Sequence, residues 1–243
     1  MAGHHDAELP RILEHARVSR LPNTAYYIPN FITEDEERLL LDKIASAPKP
    51  RWKQLTHRRL QAWPSELVQN KLLHAPLPAW LDDPVVTRLK SIPLSDADQT
   101  WLFEDSPHKG PNHVLINEYP PGDGAAYWPV VCTVSLGDSL CLNLYRSKED
   151  GTVKTEPAWR VLQEPRSVLI TMGDLYTDYL HGIEETLEDV NLGEESVVNW
   201  PLLNDCRTFS SGRHVRQTRT SLTYRDVLKV SKVGGKLGLL TKK

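Results

Sequence analysis

The chain has 243 residues, 40% of them apolar and 25% charged, with a formal net charge of -3. That length supports a sizeable core in one large domain or two small ones, and the composition is that of an ordinary globular chain. The slight acidity excludes a global electrostatic drive toward nucleic acid or anionic membrane, and no apolar run approaches the roughly 20 residues that span a bilayer.

Three cysteines, Cys132, Cys141 and Cys206, show no zinc or redox spacing. Cys132 and Cys141 lie in apolar strand-like runs and read as reduced core residues, which suits a cytoplasmic or nuclear compartment. The polar start has no signal-peptide core. Nothing in the sequence points to an oligomer, and a monomer is the default expectation.

Residues 1–20 are polar and are expected to be loosely ordered. Tyr26-Tyr27-Ile28 reads as a strand ended by Pro29. Thr33-Glu-Asp-Glu36 is a capping box, in which Thr33 and Glu36 satisfy each other's exposed amides. Its acidic first turn suits the positive end of a helix. That helix is expected to run through Leu40, Leu41 and Ile44 and to stop before Pro48.

Residues 48–63 change character. Lys49, Arg51, Lys53, Arg58 and Arg59 occur without an acid, and Trp52 and Trp63 are interleaved. Cations neutralise phosphates and aromatic faces stack on bases, so the mixture suits single-stranded or flipped nucleotides. A solvated hairpin with two core tryptophans fits equally well. Further on, Asp83 and Pro84 suggest a helix start, with Asp83 as cap.

From about residue 112 the chain is strand-rich. Asn112–Tyr119, Val130–Leu136, Leu140–Tyr145, Trp159–Gln163 and Val168–Met172 have alternating or β-branched character. Gly137-Asp138 and Glu149-Asp150-Gly151 read as turns. Strands at this spacing argue for an α+β, mainly β fold of the sandwich or jelly-roll type, with the N-terminal helices packed on it. Residues 184–212 are rich in acids and are expected to form a mobile surface loop. The tail over 229–243 is basic.

The chemistry concentrates in Arg219-Thr-Ser-Leu-Thr-Tyr-Arg225. Side chains alternate along a strand, so Arg219, Ser221, Thr223 and Arg225 share one face. Two guanidinium forks on an inner face suit a dianion or two carboxylates. Asn117 and Tyr119 are two apart on another strand and can hydrogen-bond the same small carboxylate. His181, followed by Gly182 and Ile183, is a candidate metal ligand.

The order Asn-x-Tyr, His-Gly-Ile and Arg-x-Ser-Leu-Thr-x-Arg resembles the AlkB family of Fe(II)- and 2-oxoglutarate-dependent dioxygenases, and within it the sixth-homologue branch. Ala25–Ile32, Ala47–Trp52, Asn112–Ile116, Thr133–Gly137 and Glu164–Leu169 extend the resemblance over most of residues 20–230. It implies a double-stranded β-helix over 106–228, after a helical region over 21–105 that carries a nucleotide-recognition lid. It implies that Asn117, Tyr119 and Arg219 hold 2-oxoglutarate, that Arg225 supports that carboxylate cluster, and that His181 binds iron. It implies 2-oxoglutarate-dependent oxidation with the substrate left open by the motifs, oxidative demethylation of nucleic acid being one course, with Trp52, Lys53, Arg58 and Arg59 as the substrate-facing candidates.

One element of the pattern is missing. The family's iron is held by His-x-Asp together with a distal His, a facial triad. The interval that should hold the pair reads Pro120-Pro-Gly-Asp-Gly-Ala-Ala-Tyr-Trp-Pro129 and contains no His. Asp123 reads as a turn residue there. His113 shares a face with Asn117 and Tyr119 but stands about 20 Å along the strand from Tyr119. With one ligand of three, the expectation is an AlkB-type chain of impaired turnover. The alternative is a catalytically silent module that binds nucleic acid or protein.

Overall fold

The computed structural model describes residues 7–21, 25–56, 58–69, 71–120, 125–127, 132–146 and 156–231, with the backbone alone for 125–127, 176 and 177. Asp123, the expected turn at 149–151, residues 130–131 and the tail beyond 231 lie outside the described residues.

In chain order the elements are β1 (Ala25–Ile28), α1 (Glu34–Ala45), β2 (Lys53–Gln54), β3 (Arg59–Trp63), β4 (Leu72–Leu73), α2 (Ala79–Asp82), α3 (Val85–Ser91), β5 (His113–Tyr119), β6 (Ala125–Tyr127), β7 (Cys132–Leu136) and β8 (Leu140–Arg146). They continue with β9 (Trp159–Gln163), β10 (Val168–Thr171), α4 (Asp174–Thr177), β11 (Tyr179–Ile183), β12 (Glu188–Val190), β13 (Arg213–Val215), β14 (Arg219–Arg225) and β15 (Val230–Ser231). Seven strands form the major sheet in the order β1-β10-β7-β14-β5-β3-β2, and four form the minor sheet in the order β6-β11-β8-β9. Two antiparallel sheets facing each other, with helices against one of them, make the expected jelly roll.

Alternation along each strand builds three layers. On the outer face of the major sheet, Val114, Ile116, Val134, Leu222 and Tyr224 pack with Leu40 and Ile44 of α1 and with Val85, Val86 and Leu89 of α3. On the inner face, Tyr27, Tyr119 and Leu169 meet Leu142, Leu144 and Ile183 of the minor sheet. A one-residue slip of β14 would carry both arginines to the helix side, so this pattern of burial fixes the register.

The capping box forms as expected: Glu36 N–H donates to Thr33 Oγ1 at 3.2 Å, and Thr33 N–H donates to Glu36 Oε2 at 2.7 Å. The same acidic turn anchors the helix. Glu36 accepts a two-pronged bond from Arg88 of α3, at 2.6 Å on each prong, and Glu37 accepts from the Gly137 amide at 2.8 Å. Asp83 does not cap α3. Residues 79–82 form a short helix of their own, Asp83 terminates it by donating its amide to Ala79, and Pro84 stands at the start of α3 without a side-chain cap.

Two expectations of looseness are corrected. Within 7–20, Leu13 and Val18 are buried, and the backbone bonds to Pro93 and Ala25. The acidic insertion is packed rather than mobile. It supplies β12, which pairs with β13, and it buries Val197, Asn199 and Phe209. The reason lies underneath it, where Asp189 and Arg216, each 3% exposed, form a two-pronged pair at 2.7 and 2.9 Å. A charge buried that deeply has to be paired.

Candidate functional site

β14 lies between β5 and β7, and its pairing with β5 sets Arg219 opposite Tyr119, Ser221 opposite Asn117, Thr223 opposite Leu115 and Arg225 opposite His113. Cross-strand partners point to the same face, so the sequence-predicted residues do share the inner face of the major sheet. Arg219, Asn117 and Tyr119 are each no more than 3% exposed. Arg219 Nη2 donates to Ser135 Oγ at 2.7 Å and to Gln163 Oε1 at 3.2 Å, and its guanidinium lies 6.0 Å from the Tyr119 ring centre. Ser135 and Gln163 were not singled out from the sequence. The available signal was a polar side chain on the inner face of an apolar strand.

His181 stands across the sandwich on β11, between Tyr127 of β6 and Leu144 of β8. It lines a cavity of about 30 Å³ together with Arg219, Ser221, Thr223, Gln163 and Thr133. By volume this holds one or two waters. The donors suit a carboxylate, and a five-carbon dicarboxylate enters only if lining side chains move. His181 is buried, and that burial holds its imidazole below the ordinary histidine range. Its Nε2–H donates to the Leu175 carbonyl at 3.0 Å, which leaves the lone pair on Nδ1. Among the described residues, no three His, Cys, Asp or Glu side chains are grouped to hold a metal ion.

The basic segment forms a hairpin that extends the major sheet, with β3 paired to β5. Alternation splits the four substrate-facing candidates. Arg58 reaches the inner face, where its Nε donates to Asn117 Oδ1 at 3.1 Å. Lys53 pairs with Leu60, which pairs with Asn117, and its ammonium is 3.4 Å from Glu66. Arg59 lies on the other face, forked onto Glu118 at 2.6 and 2.9 Å and stacked 4.1 Å from the Trp52 ring. Trp52 packs against the helix-side core. Arg225 stands six positions from Arg219, about 20 Å along the strand, and its Nε donates to His113 Nδ1 at 3.3 Å.

A curated relative from Danio rerio, named probable RNA/DNA demethylase ALKBH6, is 36% identical over 93% of this chain and 95% of its own length. The chain belongs to the AlkB family. A second AlkB relative, the Macaca fascicularis tRNA (carboxymethyluridine(34)-5-O)-methyltransferase ALKBH8, is 25% identical over 87% of this chain and 31% of its own length. Among solved structures, OsALKBH1 superposes with a TM-score of 0.48 at 14% identity, covering 85% of this chain and 99% of that one. No family model matches the chain.

Proposed function

We propose that this chain carries the cosubstrate half of an AlkB-type, Fe(II)- and 2-oxoglutarate-dependent dioxygenase, and that the reaction of its lineage is oxidative demethylation of nucleic acid. The observation that carries this reading is the convergence of Arg219, Tyr119 and Asn117 on one face, with His181 across the cavity. The name of the 36% identical relative supports the nucleic-acid assignment.

Arg219 takes the far carboxylate of 2-oxoglutarate in a charge-assisted pair, inside a site dry enough to strengthen it. Tyr119 and Asn117 orient the acid from the neighbouring strand. Arg58 donates to Asn117 Oδ1, which leaves the Asn117 Nδ2–H2 group to donate to a carboxylate, so hairpin and cosubstrate share one side chain. Arg225 stands outside this carboxylate clamp.

Iron supplies the oxidising chemistry of the family when bound. The described residues of this chain do not fit it, because no three metal-binding side chains are grouped among them; the Nε2–H of His181 donates to Leu175 and its Nδ1 lone pair is one ligand at most. Losing even a supporting partner of a metal ligand typically costs roughly 10- to 100-fold in affinity, and two ligands cost more. A second reading, an AlkB-fold binding module without turnover, rests on the sequence alone, in which residues 120–129 contain no histidine.

Succinate release from 2-oxoglutarate by purified protein with ferrous iron separates the two. Only trace turnover is expected. Robust turnover abolished by His181→Ala would overturn the incomplete metal set. Calorimetric 2-oxoglutarate affinity is expected to fall at least about tenfold in Arg219→Ala, since a charge-assisted bond is worth roughly 1.5–3 kcal/mol. An unchanged affinity removes Arg219 from the clamp.

A further inference from the structure

The Arg219 guanidinium is not held by its own sheet alone. The side chain starts from β14 in the major sheet and reaches Gln163, the last residue of β9 in the minor sheet. Its Nη2 is held from two sides, 2.7 Å from Ser135 Oγ and 3.2 Å from Gln163 Oε1. The Ser135 hydroxyl donates to the same Gln163 oxygen at 3.4 Å and closes a triangle of buried side chains, none more than 3% exposed. Arginine only donates, so the amide presents its oxygen to the fork.

Gln163 is itself a fixed support. The next residue, Glu164, accepts from the Tyr27 hydroxyl at 2.9 Å and from the Asn204 and Asp205 amides at 2.9 and 3.1 Å. The Glu164 amide donates back to the Tyr27 oxygen at 3.0 Å. Ser135 is fixed in the other sheet, opposite Ser221 of β14. An arginine side chain has several soft torsions, so the reach of its fork is set by whatever holds the far end. Gln163 and Arg219 both line the cavity of about 30 Å³ that His181 also borders.

We infer that Gln163 sets the length of the oxo-dicarboxylic acid that this cavity takes. It is a positioning residue: with Ser135 it fixes where the Arg219 fork stands, and so where the far carboxylate stops. Entry of the acid displaces aliphatic lining such as Leu142 and Ile183, while the triangle keeps its place. A chain one methylene longer than 2-oxoglutarate presses on a support that does not retreat, and one methylene shorter leaves the carboxylate short of the fork. One methylene in a fitted pocket discriminates by roughly 10-fold or more. The inference rests on the 2-oxoglutarate reading above and adds the residue that measures the acid.

The test is calorimetric binding of oxaloacetate, 2-oxoglutarate and 2-oxoadipate, a series growing by one methylene, to the full chain. The wild type is expected to prefer 2-oxoglutarate to either neighbour by roughly 10-fold. Gln163→Ala opens room behind the fork and is expected to shift the affinity ratio at least about 10-fold toward 2-oxoadipate. A merely structural role would weaken both acids alike, and a ratio that stays put overturns the inference. Gln163→Glu, nearly equal in size, sets a carboxylate against Arg219 and is expected to weaken all three acids at least about 10-fold. Unchanged affinity in that variant overturns the inference as well. So does a wild type that takes 2-oxoadipate as tightly as 2-oxoglutarate, and this arm decides even if neither variant folds. Where Arg219→Ala weakens 2-oxoglutarate but the Gln163 variants leave the length preference unmoved, the clamp stands and the length role falls. If none of the acids binds the wild type, the two readings fall together.

Discussion

Burial sets the charge of the imidazoles on the inner face, and this has a consequence for acid stability. Desolvation, aided by the Arg225 guanidinium, pushes His113 down to about 4. In the unfolded chain the same ring titrates near 6.5. Its stabilisation is therefore complete above pH 6.5 and is lost as pH falls from there toward 4, by about 3 kcal/mol at most. His181 acts in the same direction. His214 acts oppositely: its bond to Asp138 raises it, so its contribution is present below 6.5 and fades as pH rises through its folded value. Urea unfolding between pH 7 and pH 4.5 is expected to show a steep loss that His113→Phe flattens. His214→Gln is expected to cost stability at pH 6 and little at pH 9. A wild-type profile flat between pH 7 and 4.5 refutes this account.

Individual elements differ in how much the sequence reveals of them, and the difference is physical. The capping box, α1 and the alternation in β5 and β14 rest on neighbours a few positions apart, so a local pattern exposes them. Thr33→Ala is expected to cost about 1 kcal/mol, the value of one N-cap, with no change in the buried ion pair beneath the insertion. The β12–β13 ribbon was not legible. Its strands are separated by more than twenty residues, and its apolar anchors Leu192, Val197 and Phe209 are scattered among acids. What holds it is Asp189 beneath Arg216, a long-range pair that reads in the sequence as two more surface charges. Asp189→Ala is expected to destabilise the protein by about 3–5 kcal/mol in urea, because it strands a buried guanidinium. A loss within about 0.5 kcal/mol, the scale of an ordinary surface substitution, would return the insertion to the status of a solvated loop.

At the scale of the molecule, the carboxylate-facing set was legible because alternation is strict on a strand with both faces covered. What spacing could not give was distance along the sheet. Arg219 and Arg225 share a face yet serve two cavities, and only the pairing of β14 with β5 separates them. The basic hairpin was ambiguous for a related reason. Five cations in one window look alike until alternation sends Lys53 and Arg58 inward and Arg59 out onto Glu118. Single-stranded oligonucleotide affinity at fixed salt is therefore expected to drop in Arg58→Ala and to hold within about twofold in Trp52→Ala, since the cation contributes through phosphate neutralisation. The reverse order would place the nucleic acid on the helix side.

The place of β14 in the major sheet also bears on synthesis. It sits at the centre, and every other strand of that sheet precedes it in the chain. A nascent polypeptide leaving the ribosome thus carries β5 and β7 with facing edges bare until Arg219–Arg225 emerges to bridge them. Unbridged edges recruit strands from other molecules. A stalled product ending before Arg219 is expected to aggregate or to stay bound to a chaperone, while the finished chain closes the gap in its last folding step.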